Sequence, residues 1–489
     1  MMRGAKGKMM SKGLLLANSM LRGIVAPIIL LIAAAPAYAA QGSVPGAWYG
    51  ALDTPSGVFR ILIEVEQNAD DALSGTLESL DQSPGQKNPL SSVHVDDETL
   101  NFAISQIGMS YEASWNDEDG AYRGVWSQSG QQFNLTLERL EDEAELSQNR
   151  PQYPQDPLPY RVEEAVFANV NAEGVLLAGT LTRPNGSGPY PLAILITGSG
   201  PQDRDEFVFG HKPFLVLADH LTRSGIAVLR YDDRGYGAST GNYSLASTND
   251  FVSDALAAVD YITSRSDIEI SEIGLIGHSE GGLIAPMAAQ ETDEIDFLVL
   301  LAAPGIPTRE ILLTQARDQA LANGAREEDL VIGLQIKAQI MAIAAAPTSY
   351  EEAAVQLREM LTDDALIALG GTPSIRDEMI RSSLSTGHRS LTRQDPEQAL
   401  TDLQIPVLAL NGALDVQVDA EVNLDGIRLL LVDSPDATIQ ELPGLNHMFQ
   451  TAKTGAISEY AQIDETFAPH ALDLISEWIA ARYETVAAN

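Results

Sequence analysis

Two stretches of the sequence hold a serine between glycines at the spacing G-x-S-x-G: Gly277-His278-Ser279-Glu280-Gly281 and Gly237-Ala238-Ser239-Thr240-Gly241. A serine hydroxyl is a weak nucleophile until a base takes its proton. It also has to be lifted into the open, which a sharp strand-to-helix turn does, with small residues on either side because neighbouring chains crowd the turn. The first stretch follows the apolar run EIGLIG (272–277) and leads into GLIAPMAAQE, a good helix former. The second follows DDRGYG and leads into NYSLAST, which has no helical pattern. Ser279 is therefore the candidate nucleophile, and Ser239 is expected to be a loop serine.

A nucleophilic serine needs a histidine base and a carboxylate that fixes the tautomer of that histidine. When the serine sits on such a turn, the chain order is serine, acid, histidine. Asp415 follows the apolar run PVLALN (406–411), and His447 follows ATIQEL (437–442). Each would lie in the loop after a strand, at the same sheet edge as Ser279. The plainer readings are a turn cap for Asp415, with Glu310 as the fallback acid, and a satisfied loop histidine for His447. His220 falls in a predicted helix and His94 in the N-terminal β region, so neither is placed to act as the base. His278, beside the serine, is expected to orient the turn.

Attack on a carbonyl creates an oxyanion that needs two N–H donors. One is expected from the backbone of Glu280 and the other from the loop GSGPQDRDE, with Ser199 the first choice and Gly200 the second. The charged run Asp203, Arg204, Asp205, Glu206 is expected to brace this loop with ion pairs. Asp232, Asp233 and Arg234 are expected to be structural.

These positions presuppose particular elements. Residues 46–140 alternate with period two, as in VFRILIEVE, LNFAI and FNLTLE, between turn-rich breaks. That pattern predicts a small all-β domain, a meander curled into a sandwich or half-barrel. The proline-rich stretch 141–160 reads as a linker. From 161 to 489, six apolar strand candidates alternate with helical segments, which predicts an α/β fold with a doubly wound, mostly parallel sheet. Open sheets of this kind bind ligands at the carboxyl ends of their strands. The region from about 305 to 400 lacks strand patterning and is expected to be a helical cap that forms a lid and supplies an apolar acyl pocket, LQIKAQIMAIAAAP being its most apolar piece.

The stretches ITGSGPQDRDE, LRYDDRGYG, GHSEGGLIAPMAA, PVLALNGALDVQV and LPGLNHMFQ together resemble the α/β-hydrolase superfamily. The nearer resemblance is to exported bacterial esterases of the serine aminopeptidase-like group that carry an N-terminal β domain. It spans about residues 190 to 455. It implies a triad of Ser279, Asp415 and His447, no cofactor, and hydrolysis of carboxylic esters. Tyr236, Ala238 and Ala413 depart from the group's pattern but lie outside the triad.

Composition narrows the remaining classes. With 45% hydrophobic and 20% charged residues the chain is of ordinary globular type. There are no cysteines, which excludes disulfides, thiolate metal sites and cysteine nucleophiles. The seven histidines show no metal-ligand spacing, and no metal is expected. A net charge of −38 repels nucleic acid and anionic membrane surfaces, so neither is an expected partner. Residues 1–39 combine Arg3, Lys6, Lys8, Lys12 and Arg22 with an apolar run, Ile24 to Ala35, and the small-residue ending Ala37-Tyr38-Ala39. This reads as a secretory signal cut near Ala39, giving a periplasmic or secreted protein with no stable membrane insertion.

The expectation is a serine esterase working through an acyl-enzyme on a small-molecule ester. The alternatives are a serine peptidase of the same fold, an acyl thioesterase and a non-catalytic binding protein.

Overall fold

The computed structural model describes residues 44–485, apart from 55–56, 69–71, 82–86, 97, 129–130, 141–145, 147–149 and 187. The signal segment read in residues 1–39 lies outside the described residues.

The period-two stretches form an antiparallel sheet. Its strands are β1 (Gly46–Thr54), β2 (Gly57–Gln67), β3 (Leu73–Ser79), β4 (Asn88–Pro89), β5 (Ser92–Val95), β6 (Thr99–Ile104), β7 (Met109–Asn116), β8 (Ala121–Gln128) and β9 (Gln131–Arg139). Their order is β4-β3-β2-β1-β9-β8-β7-β6-β5, so two meanders meet where β1 pairs with β9. Phe59, Ile61, Ile63 and Val65 of β2 are all buried, as the alternation requires. Leu77 of β3 and Phe102 of β6, from opposite halves of the sheet, share one core with the fully enclosed Trp48 and Tyr111. The sheet therefore wraps around its own apolar face, as a half-barrel would.

The second sheet has eight strands in the order β10-β11-β13-β12-β14-β15-β16-β17. They are β10 (Arg161–Ala168), β11 (Leu176–Arg183), β12 (Tyr190–Ile196), β13 (Ala227–Tyr231), β14 (Ile270–His278), β15 (Phe297–Leu301), β16 (Val407–Gly412) and β17 (Ala437–Leu442). The pairings from β13 to β17 are parallel, and β10 and β11 join antiparallel at one edge. Those two strands are absent from the six read in the sequence. In β10 the exposed Val162 and Val166 and the charged Arg161, Glu163 and Glu164 break any continuous apolar run, which is what a sheet edge tolerates.

Helices cover both faces of this sheet, which is why its central strands are apolar throughout. Helices α1 (Pro213–Arg223) and α12 (Pro469–Ala480) bury Phe214, Leu217, Leu472 and Ile475 on one face. Helices α2 (Thr248–Thr263), α3 (Gly281–Ala289) and α11 (Ala420–Leu430) bury Val252, Val259, Ile284 and Ile427 on the other. Between β15 and β16 the chain leaves the sheet as a helical cap: α4 (Thr308–Ala322), α5 (Glu327–Ala345), α6 (Tyr350–Met360), α7 (Asp363–Ala368), α8 (Arg376–Ser383), α9 (Thr386–Leu391) and α10 (Glu397–Leu400). The cap has a small core of its own around Ala344, Leu357, Leu366 and Ile380.

The proline-rich stretch is bound to the larger sheet unit from Arg150 to Tyr160. Arg150 donates to the carbonyls of Gly210 and Ile463 at 2.9 Å each, Gln152 to that of Phe467 at 2.6 Å, and Tyr160 to Asp219 at 2.8 Å. One aromatic contact joins the two sheets. Phe209 stacks on Phe59 of β2 with ring centroids 6.3 Å apart and meets Tyr460 edge-on at 5.4 Å. The Phe209 amide also donates to the carbonyl of Asp81 at 2.9 Å.

Candidate active site

Ser279 is the first residue after β14, and its φ of +53° lies in the left-handed region. Such a conformation costs a non-glycine residue about 1–3 kcal/mol and persists only where the surroundings impose it. Here its amide donates to the carbonyl of Leu301 at 2.8 Å and its carbonyl receives the amide of Gly282 at 2.9 Å. The flanking glycines are dictated by space. A Cβ on Gly277 would collide with the carbonyl of Gly281, and one on Gly281 with that of Ile196. Ser239, the decoy, is buried, with its hydroxyl donating to the carbonyl of Asp232 at 2.7 Å and accepting the amide of Ala178 at 2.9 Å.

Asp415 and His447 are brought together. Asp415 Oδ2 accepts His447 Nδ1–H at 2.7 Å, while Oδ1 receives the amides of Gln417 at 2.7 Å and Val418 at 2.9 Å. Both side chains are almost wholly buried. With Nδ1 donating, Nε2 is left as the acceptor, the form a general base needs. The loops that carry the two residues are zipped by backbone bonds, Ala413 to Leu442 at 2.9 Å and Leu414 to Leu445 at 2.8 Å. Among the hydrogen bonds of the described residues, none joins Ser279 Oγ to His447 Nε2. Catalytic bonds of this kind often tighten only around substrate. Glu310, the fallback acid, is exposed in the first turn of α4.

His278 ties the Ser279 turn to the backbone of His447. Its Nε2 points at the carbonyl oxygen of His447 at 3.0 Å, and the two imidazole centroids are 4.8 Å apart. Its Nδ1 meets Glu206 Oε1 at 2.8 Å, and the same oxygen accepts the amide of Gly198 at 2.8 Å. Burial pulls the His278 imidazole toward neutrality, but the charge and hydrogen bond of Glu206 outweigh it and raise its pKa. A carbonyl can only accept, so Nε2 carries a proton. His278 is thus clamped between a carboxylate and the backbone of His447. Its orienting role was legible in the sequence; its partner Glu206 was not, because only the fold brings residues 206 and 278 together.

The donor loop after β12 is equally defined. Gly198 N–H is spent on Glu206, and Gly200 N–H donates to the Tyr243 hydroxyl at 2.9 Å. Of the three amides from 198 to 200, that of Ser199 is the one not engaged in this way. The Glu280 amide sits at the N-terminus of α3, where the helix dipole favours negative charge. The Glu280 carboxyl shares a small cavity with Asp233 and Tyr243, and burial pushes its pKa up to about 7. The charged residues around the loop are structural, as expected. Arg204 grips Asp232 through two nitrogens at 2.9 Å each, Asp233 accepts the hydroxyl of Thr197 at 2.8 Å, and Arg234 pairs with Asp254 and Asp250.

Parallel strands covered by helices on both faces, with Ser279, Asp415 and His447 in the loops after β14, β16 and β17, frame the family comparison. Residues 212–452 match the family described as serine aminopeptidase, S33. The larger sheet unit has the α/β-hydrolase fold. Esterase EstD of Thermotoga maritima is 31% identical over 226 residues, 44% of this α/β hydrolase and 54% of EstD. The chain therefore spans about half the length of that curated relative. The putative hydrolase YtaP of Bacillus subtilis is 34% identical over 98 residues, 18% of this chain and 33% of YtaP. Among solved structures, the Pyrococcus furiosus esterase Pf2001 aligns at 15% identity and a TM-score of 0.42, covering 66% of this chain and 92% of that one. Est1E of Butyrivibrio proteoclasticus, with ferulic acid bound, aligns at 18% identity and 0.37, covering 65% and 96%.

Proposed function

We propose that this α/β hydrolase is a serine esterase that cleaves carboxylic esters of small molecules through an acyl-enzyme. The observation that carries the reading is the Asp415–His447 hydrogen bond beside the strained turn of Ser279. His447 Nε2 takes the Ser279 proton, and Ser279 Oγ adds to the ester carbonyl. The amides of Ser199 and Glu280 receive the oxyanion. The alcohol leaves with the proton from His447, and water activated by the same imidazole then releases the acid and regenerates Ser279. Asp415 holds the ring and offsets its positive charge in both halves.

The resemblance to EstD favours esters over peptides. A peptidase of this fold would use the same groups against a poorer leaving group, so the substrate decides between them. p-Nitrophenyl acyl esters should be turned over faster than aminoacyl anilides, and Ser279→Ala should abolish turnover of both. Faster anilide cleavage would replace esterase by peptidase. Failure of a fluorophosphonate probe to label Ser279 would remove the covalent mechanism and leave a binding protein. Export through the basic and apolar segment of residues 1–39 places the enzyme outside the cytoplasm in this reading. Recovery of the full-length chain with its first 39 residues intact in the cytosol would overturn it.

A further inference from the structure

The cap carries a half-open cavity of about 520 Å3, within the size range of small-molecule sites. Its walls are apolar, with Leu330, Leu334, Ile340, Met341, Leu369 and Met379 among them, while Ser279, Asp415 and His447 lie outside its lining. Two basic side chains enter this apolar space, Lys337 from α5 and His388 from α9. Burial lowers the pKa of the Lys337 ammonium. Burial and the nearby charge of Lys337 together lower that of His388, so the two groups sense each other.

No carboxylate answers them. Among the described residues none forms an ion pair with Lys337 or His388. The acid at the wall, Asp329, is exposed and held by Arg326 at 2.8 Å. In a chain with 68 acidic and 30 basic residues, a lysine without a partner inside an apolar chamber stands out. Charging both groups in one low-dielectric space would set them against each other, and an anion between them would relieve both that repulsion and the lost hydration.

We propose that the cap cavity binds a medium-chain carboxylate, its head between Lys337 and His388 and its alkyl chain along the leucine and methionine wall. The hydroxyl of Ser383, also in the lining, supplies a further donor for the head. The flexible methionines allow the wall to follow chains of different length. The site stands whether or not Ser279 cleaves esters, because it shares no residue with that machinery.

The test is calorimetric titration of the full chain with decanoate, and with decanol as the uncharged control. Decanoate should bind one per chain and at least tenfold more tightly than decanol. Lys337→Met should erase that preference, and Lys337→Arg should retain it. Ser279→Ala should bind decanoate like the unaltered chain, which separates this site from the esterase reading. If Lys337→Met fails to give a cooperative melt, His388→Gln carries the same comparison and should weaken decanoate more than decanol. Equal affinity for the two amphiphiles, a preference that survives loss of the Lys337 charge, or no decanoate binding to the folded chain would overturn the proposal.

Discussion

Glu206 Oε1 lies 2.8 Å from His278 Nδ1 and 2.8 Å from the amide of Gly198, so one carboxylate oxygen ties the Ser279 turn to the loop after β12. Through His278 Nε2 the same tie extends to the backbone of His447. Glu206→Gln removes the charge with little change in shape. A displacement near 1 Å in such a constellation costs about 100-fold in rate. Turnover of p-nitrophenyl butyrate by Glu206→Gln and by His278→Gln should fall by about that factor. The double variant should be scarcely worse than either single one, because the two act as a unit. Multiplicative effects would mean that the residues work separately.

Asp415→Asn should leave the fold cooperative but release the wrong tautomer of His447, which accounts for losses of about 10⁴-fold in serine hydrolases. Steady-state kcat on the same ester checks this, alongside a thermal melt. A loss smaller than tenfold would show that His447 does not depend on Asp415.

Glu280 gives a pH signature. Its pKa in the folded chain, about 7, lies above the ordinary glutamate value of 4.5. The folded state therefore holds this proton more tightly than the unfolded state. The stability it contributes is complete below about pH 4.5 and is lost as pH rises through 7. Melting temperatures of the unaltered chain should fall, relative to those of Glu280→Gln, across pH 4.5 to 8. Parallel curves would show that the carboxyl is not held neutral by burial.

Phe59 belongs to the antiparallel sheet, yet it stacks on Phe209, three residues beyond Glu206. Phe59→Ala should cost about 3–5 kcal/mol of stability if the site cannot collapse, read from urea unfolding. It should also lower ester turnover by loosening the loop that holds Glu206. Unchanged turnover in a folded Phe59→Ala variant would confine the contact to stability.

Much of this architecture was legible from local pattern. The central strands are apolar because they are covered on both faces, so β12 to β16 stand out in the sequence. The serine turn could be told from its decoy because only Ser279 lies between a strand and a helix. The edge strand β10 was hidden, since a half-exposed edge mixes charge with valine and reads as loop. The Glu206–His278 pair was hidden for another reason: 72 residues separate them, and no periodicity links a loop glutamate to a turn histidine. Lys337 gave no signal either, because a lysine on an apolar helix is read as reaching solvent until the surrounding helices are known.

The aromatic joint at Phe209 bears on how such a chain could arise or be taken apart. A module that merely rides on an enzyme can be gained or lost by gene fusion with little effect on its host. Here the ring that seats the antiparallel sheet grows from the same short loop as the carboxylate that anchors the nucleophile turn. Trimming the gene at the proline stretch would leave that loop bare on one side, so the two halves are expected to be inherited, and to decay, together.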